Sequence, residues 1–271
     1  MSFIKVIEAA WENRNTLLCV GLDTDPNQIP PHLKKMDAPI FEFNKAIVDS
    51  TADLVCAYKP QIAYYSASGT EQELEMTIEY VHRNYPEIPV ILDAKRGDIG
   101  STANMYAIEA FDRYGADAVT VNPYMGSDTL EPFLNHKEKG IIILCRTSNP
   151  GAREIQDLES KGKKIYRIIA EKASGEWNYN DNVLLVVGAT YPEEVGEIRS
   201  ISGEMPFLVP GIGAQGGDVE KTVKNGRSRN GAGMIINSSR GIIYASPGRD
   251  FAEAARNIAM GLRDEINRYR K

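Results

Sequence analysis

The chain has 271 residues, 42% hydrophobic and 25% charged, with a formal net charge of −6, which fits an ordinary soluble globular protein of one large or two smaller domains. An acidic balance excludes the wide basic face that nucleic acid or an anionic membrane needs, while leaving room for one local cluster that holds a small anion. The N-terminal stretch is amphipathic through Phe3, Val6, Ile7, Ala10 and Trp11 and lacks the basic and continuous apolar regions of a signal peptide. Short β-branched runs then recur at Thr16 to Asp23, Leu54 to Pro60, Val90 to Lys95, Ala116 to Asn122, Gly140 to Ser148, Val183 to Thr190, Pro206 to Gly213 and Ala232 to Ser238, which predicts eight strands. Each is followed by residues at helical spacing, such as Leu74, Ile78 and Val81, or Ile165, Ile168 and Ile169.

Near-continuous apolar strands alternating with helices imply a parallel sheet covered on its outside, and eight such units favour closure into an α/β (β/α)8 TIM barrel. The segment between the fifth and sixth strands, with Lys161 to Lys164 and Gly175 to Asp181, is long enough to add material over the barrel mouth. Gly203 to Pro206 reads as a loop. A last helix is expected after Pro247, Gly248 and Asp250, with a stripe of Phe251, Ala254, Ala255, Ile258, Leu262 and Ile266. No linker or low-complexity tract divides the chain, so residues 1–271 read as a single domain. Cys19, Cys56 and Cys145 are odd in number and set in apolar runs, as expected of buried reduced thiols in a cytoplasmic protein. No apolar run approaches the roughly 18 residues of a bilayer span.

In a barrel the C-terminal strand ends meet at one mouth. Here they carry Gly21-Leu22-Asp23, Tyr58-Lys59-Pro60 and Asp93-Ala94-Lys95-Arg96-Gly97-Asp98. Asp93 and Lys95 stand two apart on a strand and should enter the barrel together, with Leu92 and Ala94 facing the covering helices. A single strand-end charge can be a structural ion pair. Several together are harder to explain by stability, because leucine and valine would serve it better, and the set Lys59, Asp93, Lys95, Asp98 would stay ionised by alternating signs.

The run from Gly211 to Gly216 has the G-x-G-x-x-G spacing of a dinucleotide fingerprint. It follows the seventh strand rather than opening a βαβ unit, and no acidic residue stands about 20 positions onward. With Ser238-Ser239-Arg240-Gly241 after the eighth strand, it fits a barrel phosphate site instead, in which backbone N–H groups and a guanidinium grip the anion. His32, His82 and His136 have no partner at metal-ligand spacing. Ser148, in Ser148-Asn149-Pro150-Gly151, lacks a nucleophile elbow but can read a ligand's edge. Trp11 and Trp177 read as packing residues.

Through Asp93-Ala94-Lys95-Arg96-Gly97-Asp98-Ile99-Gly100-Ser101-Thr102, a D-x-K-x-x-D motif, the chain resembles the orotidine 5′-monophosphate decarboxylases. The likeness continues through Gly21-Leu22-Asp23, Tyr58-Lys59-Pro60, Ser148-Asn149-Pro150-Gly151, Pro210-Gly211-Ile212-Gly213-Ala214-Gln215 and Ser239-Arg240-Gly241, and looks like the longer bacterial subgroup. It implies a lyase of pyrimidine biosynthesis that converts orotidine 5′-monophosphate to uridine 5′-monophosphate without metal or cofactor. By the same resemblance Asp93 and Lys95 face the scissile carboxylate, and Asp23 and Lys59 contact the ribose and orient the charged set. Asp98, Ile99 and Thr102 reach into the partner of a homodimer with shared sites. Ser148 reads the pyrimidine, Gln215 bridges base and phosphate, and Arg240 binds phosphate beside Pro210 and Ser239. Ser239 stands where the family often has glycine, which bears on the backbone contact to phosphate.

Two other readings share parts of this pattern. A Mg2+-dependent 3-keto-gulonate 6-phosphate decarboxylase or hexulose-phosphate synthase has the D-x-K-x-x-D motif but an acid where Lys59 stands, since a lysine there repels a divalent ion. A non-catalytic phosphosugar-binding barrel would keep Arg240 and the glycines without needing Lys95.

Overall fold

A computed structural model describes residues 1–212 and 218–270. Eight parallel strands form the barrel: β1 (Leu18–Leu22), β2 (Ala57–Pro60), β3 (Ile91–Arg96), β4 (Ala118–Val121), β5 (Gly140–Arg146), β6 (Val183–Val187), β7 (Phe207–Val209) and β8 (Met234–Ser238). Their order is β2-β1-β8-β7-β6-β5-β4-β3, and parallel bridges Tyr58 to Val90 and Gln61 to Asp93 join β2 to β3. All eight expected strands are present; seven are shorter than their apolar runs because the runs' ends turn into the loops, and β3 keeps its length but starts and ends one residue later than expected. Strands β1 and β6 are buried along their whole length, as a sheet covered by helices requires.

The amphipathic start forms a helix over Phe3–Asn13 that buries Phe3, Ile7, Ala10 and Trp11. It closes the N-terminal end of the barrel: a Cβ on Gly140 would collide with the Phe3 ring and the Ala118 methyl. The mouth at the opposite end is thus the open one.

Helix Glu71–Asn84 buries Leu74, Ile78 and Val81 as the spacing predicts. In helix Ile165–Ser174 the buried face is Tyr166, Ala170 and Ala173, and Ile165, Ile168 and Ile169 are only half-buried. The Tyr166 ring takes the inward position, its hydroxyl donating to Glu197 at 2.5 Å and its carbonyl accepting from the Cys145 thiol. The last helix, Phe251–Tyr269, buries Phe251, Ala255, Ala259 and Ile266, whereas Ile258 is exposed and Ala254 and Leu262 are half-buried. Phe251 stacks on Phe43 with ring centres 5.1 Å apart, and the small Ala255 and Ala259 let the helix lie close, which turns Ile258 outward. Asp250 accepts from Ser246 rather than capping the helix.

Between β5 and β6 lie a short helix, Ala152–Gln156, a two-stranded hairpin of Glu159–Ser160 with Lys163–Lys164, and helix Ile165–Ser174. Arg146, at the end of β5 and 1% exposed, anchors this insertion. Its guanidinium holds Glu194 at 2.6 and 3.0 Å and Asp157 at 3.1 Å, between the rings of Tyr166 and Tyr191. Cys19, Cys56 and Cys145 are free and buried, and Trp11 and Trp177 are packing residues with 5% and 6% exposure. Among the described residues no helix is long and apolar enough to cross a membrane.

Candidate active site

The ends of β1, β2 and β3 bring four charges into one row at the mouth. Lys59 Nζ lies 2.9 Å from Asp93 Oδ2 and 3.6 Å from Asp23 Oδ1, and Lys95 Nζ lies 2.7 Å from Asp93 Oδ1. The alternating set is therefore Asp23, Lys59, Asp93, Lys95. Asp98 stands apart from it within the chain, accepting from the Ile99 N–H at 2.8 Å. A two-residue offset between the ends of neighbouring strands puts Asp23 beside Lys59: the register pairs Gly21 with Lys59, so Asp23 overhangs the ammonium.

Burial would raise the Asp93 pKa, but the ammonium groups of Lys59 and Lys95 outweigh it and hold the carboxyl well below the usual range. Burial would likewise lower that of Lys59, and Asp23 and Asp93 overcome it and push the ammonium above its ordinary value. Both groups thus stay charged throughout the interval between ordinary carboxylate and ammonium titration. Lys95 is different in exposure, with 47% of its side chain open against 4% for Lys59. Lys59 is a fixed buried charge; Lys95 presents its ammonium to the mouth.

Asp93 and Lys95 do share the inward face, but a regular pleat is not what achieves it. The ladder between β3 and β4 shifts register between Leu92 and Arg96, and Lys95 has a left-handed backbone with φ +48°. Such a conformation costs a non-glycine residue about 1–3 kcal/mol and persists only where neighbours enforce it. Thr120 on β4 does so: its hydroxyl accepts from the N–H groups of Ala94 and Lys95, both at 2.9 Å, and donates to Asp93 Oδ1 at 2.8 Å. Arg96 turns outward to a bidentate pair with Glu109, 3.0 Å for each bond.

The other side of the mouth is polar and less charged. Ser239 donates to the Gly21 carbonyl at 3.1 Å, and a Cβ on Gly21 would stand 2.7 Å from that of Ser239, so the glycine permits the two strand ends to touch. Arg240 begins a short helix, Arg240–Ile243; it is exposed, and its guanidinium has no hydrogen bond or ion pair among the described residues. Pro210 accepts from the Ala189 N–H at 2.9 Å. Ser148 is half-buried and packs on Gly188, where a Cβ would meet the Ser148 backbone nitrogen at 2.9 Å. Gln215 and the end of the Gly211 to Gly216 run lie outside the described residues. Ile99 is 60% exposed and Thr102 is exposed.

Thr120, Gly188 and Asn237 escaped the sequence reading. Thr120 left a signal, as the lone polar residue of the strand Ala-Val-Thr-Val. Asn237 Oδ1 and Asp23 Oδ1 are buried acceptors without a hydrogen-bond donor, suited to a ligand hydroxyl. Among the described residues no group of three His, Cys, Asp or Glu side chains is arranged to hold a metal ion, and the Lys59 ammonium fills the space between the carboxylates of Asp23 and Asp93.

The arrangement can therefore hold an anion near Arg240, hydroxyls near Asp23 and a reacting centre beside Lys95. Comparison with known proteins points the same way. A family model described as "Orotidine 5'-phosphate decarboxylase / HUMPS family" matches residues 16–258. The orotidine 5′-phosphate decarboxylase of Dechloromonas aromatica is 58% identical over 270 residues, covering 100% of both chains. Among solved structures, the OMP decarboxylase of Leishmania donovani superposes with a TM-score of 0.84 at 38% identity, covering 100% of this chain and 99% of that one. The UMP synthase of the same organism gives a TM-score of 0.86 at 39% identity, with 98% of this chain matched to 57% of the longer protein.

Proposed function

This chain belongs to the orotidine 5′-phosphate decarboxylase / HUMPS family; it decarboxylates orotidine 5′-monophosphate to uridine 5′-monophosphate in pyrimidine biosynthesis, and we propose that Lys95 carries the chemistry. The observation that supports this most strongly is the row Asp23, Lys59, Asp93, Lys95, whose last member is the most exposed at the open mouth.

Loss of CO2 from C6 leaves an electron pair in the plane of the pyrimidine, orthogonal to the π system, so the ring carbonyls do not drain it by conjugation. A pre-positioned ammonium stabilises that charge without reorganising. Lys95 then delivers a proton to C6, giving the product, and is reprotonated from solvent. Asp93 orients Lys95, and Lys59 in turn holds Asp93 and the ribose with Asp23. Ser148 reads the pyrimidine amide, and Pro210, Gln215, Ser239 and Arg240 bind the phosphate end. Phosphate binding far from C6 is used to close loops and exclude water.

The Mg2+-dependent alternative would require an acid at Lys59, where the buried ammonium instead separates two carboxylates. A purely binding barrel would have no use for a lysine held in a costly backbone conformation at the mouth.

The working unit in this reading is a homodimer. Asp98 bonds to the neighbouring Ile99 N–H, Ile99 and Thr102 are exposed, and nearby the chain also exposes Met105, Tyr124 and Met125, the last approaching Gly97. A partner would cover these apolar groups and receive Asp98 and Thr102 at its ribose. The buried free thiols support a reducing cytoplasm, and one barrel domain spans residues 1–271.

The direct test of function is the fall in ultraviolet absorbance as orotidine 5′-monophosphate is consumed; absence of turnover contradicts it. For the phosphate site, Arg240→Ala should weaken binding of uridine 5′-monophosphate by at least about tenfold while changing uridine binding little, since a charge-assisted guanidinium contact is removed. Titration of both ligands checks this, and equal losses would take Arg240 out of the phosphate site.

A further inference from the structure

The hydroxyl of Thr120 uses its full bonding capacity at one point of the molecule. A threonine oxygen has one hydrogen and two lone pairs. Here the lone pairs face the N–H groups of Ala94 and Lys95, at 2.9 Å each, so the hydrogen is left to point at Asp93 Oδ1, 2.8 Å away. That oxygen also receives Lys95 Nζ at 2.7 Å, while Asp93 Oδ2 receives Lys59 Nζ at 2.9 Å. One hydroxyl, 1% exposed with its residue, thus touches both the backbone that turns left-handed at Lys95 and the carboxylate that grips the Lys95 side chain. The register shift between Leu92 and Arg96 removes regular ladder partners at this point, and Thr120 supplies their replacement.

We propose that Thr120 is a positioning residue for the decarboxylation: it fixes the two ends of Lys95, the backbone through the N–H groups and the ammonium through Asp93. The proposal rests on the reading that Lys95 carries the chemistry. Valine has nearly the shape of threonine but would leave two part-buried N–H groups without their partner and remove one of the bonds that hold the Asp93 carboxylate. Serine restores all three contacts without the methyl group. A residue that only fills space would show the reverse order, with valine tolerated and serine harmful.

The test compares Thr120→Val, Thr120→Ala and Thr120→Ser with Lys95→Ala, each checked for folding by near-ultraviolet circular dichroism and for binding of uridine 5′-monophosphate. Thr120→Val is expected to lower kcat at least about tenfold, with KM and product binding within about twofold, because positioning of an ammonium matters in the transition state. Thr120→Ala should lose a similar factor and stands in if the valine protein does not fold. Thr120→Ser should recover to within about threefold of the parent. A kcat near the parent's in Thr120→Val or Thr120→Ala, a serine protein as impaired as they are, or failure of every variant to fold would overturn the proposal. If Lys95→Ala itself stays active, the underlying reading of Lys95 fails; if only Lys95→Ala is impaired, the role of Thr120 alone is wrong.

Discussion

Replacing Lys95 by alanine is expected to lower kcat at least about a thousandfold, since loss of even one oxyanion donor in an enzyme costs 10²–10³ and here a full charge and the proton source go together. Folding should survive. Lys95 is half exposed, so its removal does not strand it in the core, and Asp93 keeps Lys59 and Thr120 as partners. Uridine 5′-monophosphate, which has no carboxylate to meet Asp93, should still bind. The measurements are steady-state turnover and product titration on the same sample. Near-normal turnover would refute the assigned role, and loss of both folding and product binding would make Lys95 a structural residue.

The second large effect concerns shared sites. Asp98→Ala and Lys95→Ala proteins should each be nearly inactive alone and regain activity when mixed under conditions of subunit exchange. If Asp98 serves the partner's site, a mixed dimer gathers both lesions in one site and leaves the other intact. At equal concentrations half of the dimers are mixed, so the mixture should reach about a quarter of the parent's activity per site. Exchange is verified independently with differently tagged subunits. No recovery despite exchange would mean that Asp98 acts within its own chain, in spite of its separation from the row of Asp23, Lys59, Asp93 and Lys95.

The barrel was legible because its strands are continuous apolar runs and its charges cluster at strand ends, both local properties. Asp93 and Lys95 could be placed on one face from their spacing alone. What the spacing did not reveal was how that face is shared: the register shift and the left-handed φ at Lys95 depend on Thr120, which lies 26 residues from Ala94 in the chain. Replacement of Asp98 by Asp23 in the alternating row likewise depends on register between β1 and β2, which local periodicity does not contain. Gly188 went unnoticed because its reason is a contact with Ser148 on a different strand end. The stripes misjudged by one helical position, Ile165 and Ile169 in one helix and Ile258 in another, show the same limit: a large inward ring at Tyr166, or alanines at Ala255 and Ala259, sets the rotation of a helix more firmly than the count of apolar residues.

The central claim is that positive charge for the decarboxylation comes from the chain's own Lys95, with Lys59 standing where a metal-dependent relative would need an acid. Its most direct test is turnover of orotidine 5′-monophosphate, followed in the ultraviolet, after exhaustive treatment with EDTA and dialysis, with and without added Mg2+. Full activity after chelation and no gain from Mg2+ is the expected result; activity lost with EDTA and restored by Mg2+ would contradict the account and make Asp93 a metal ligand rather than the partner that orients Lys95.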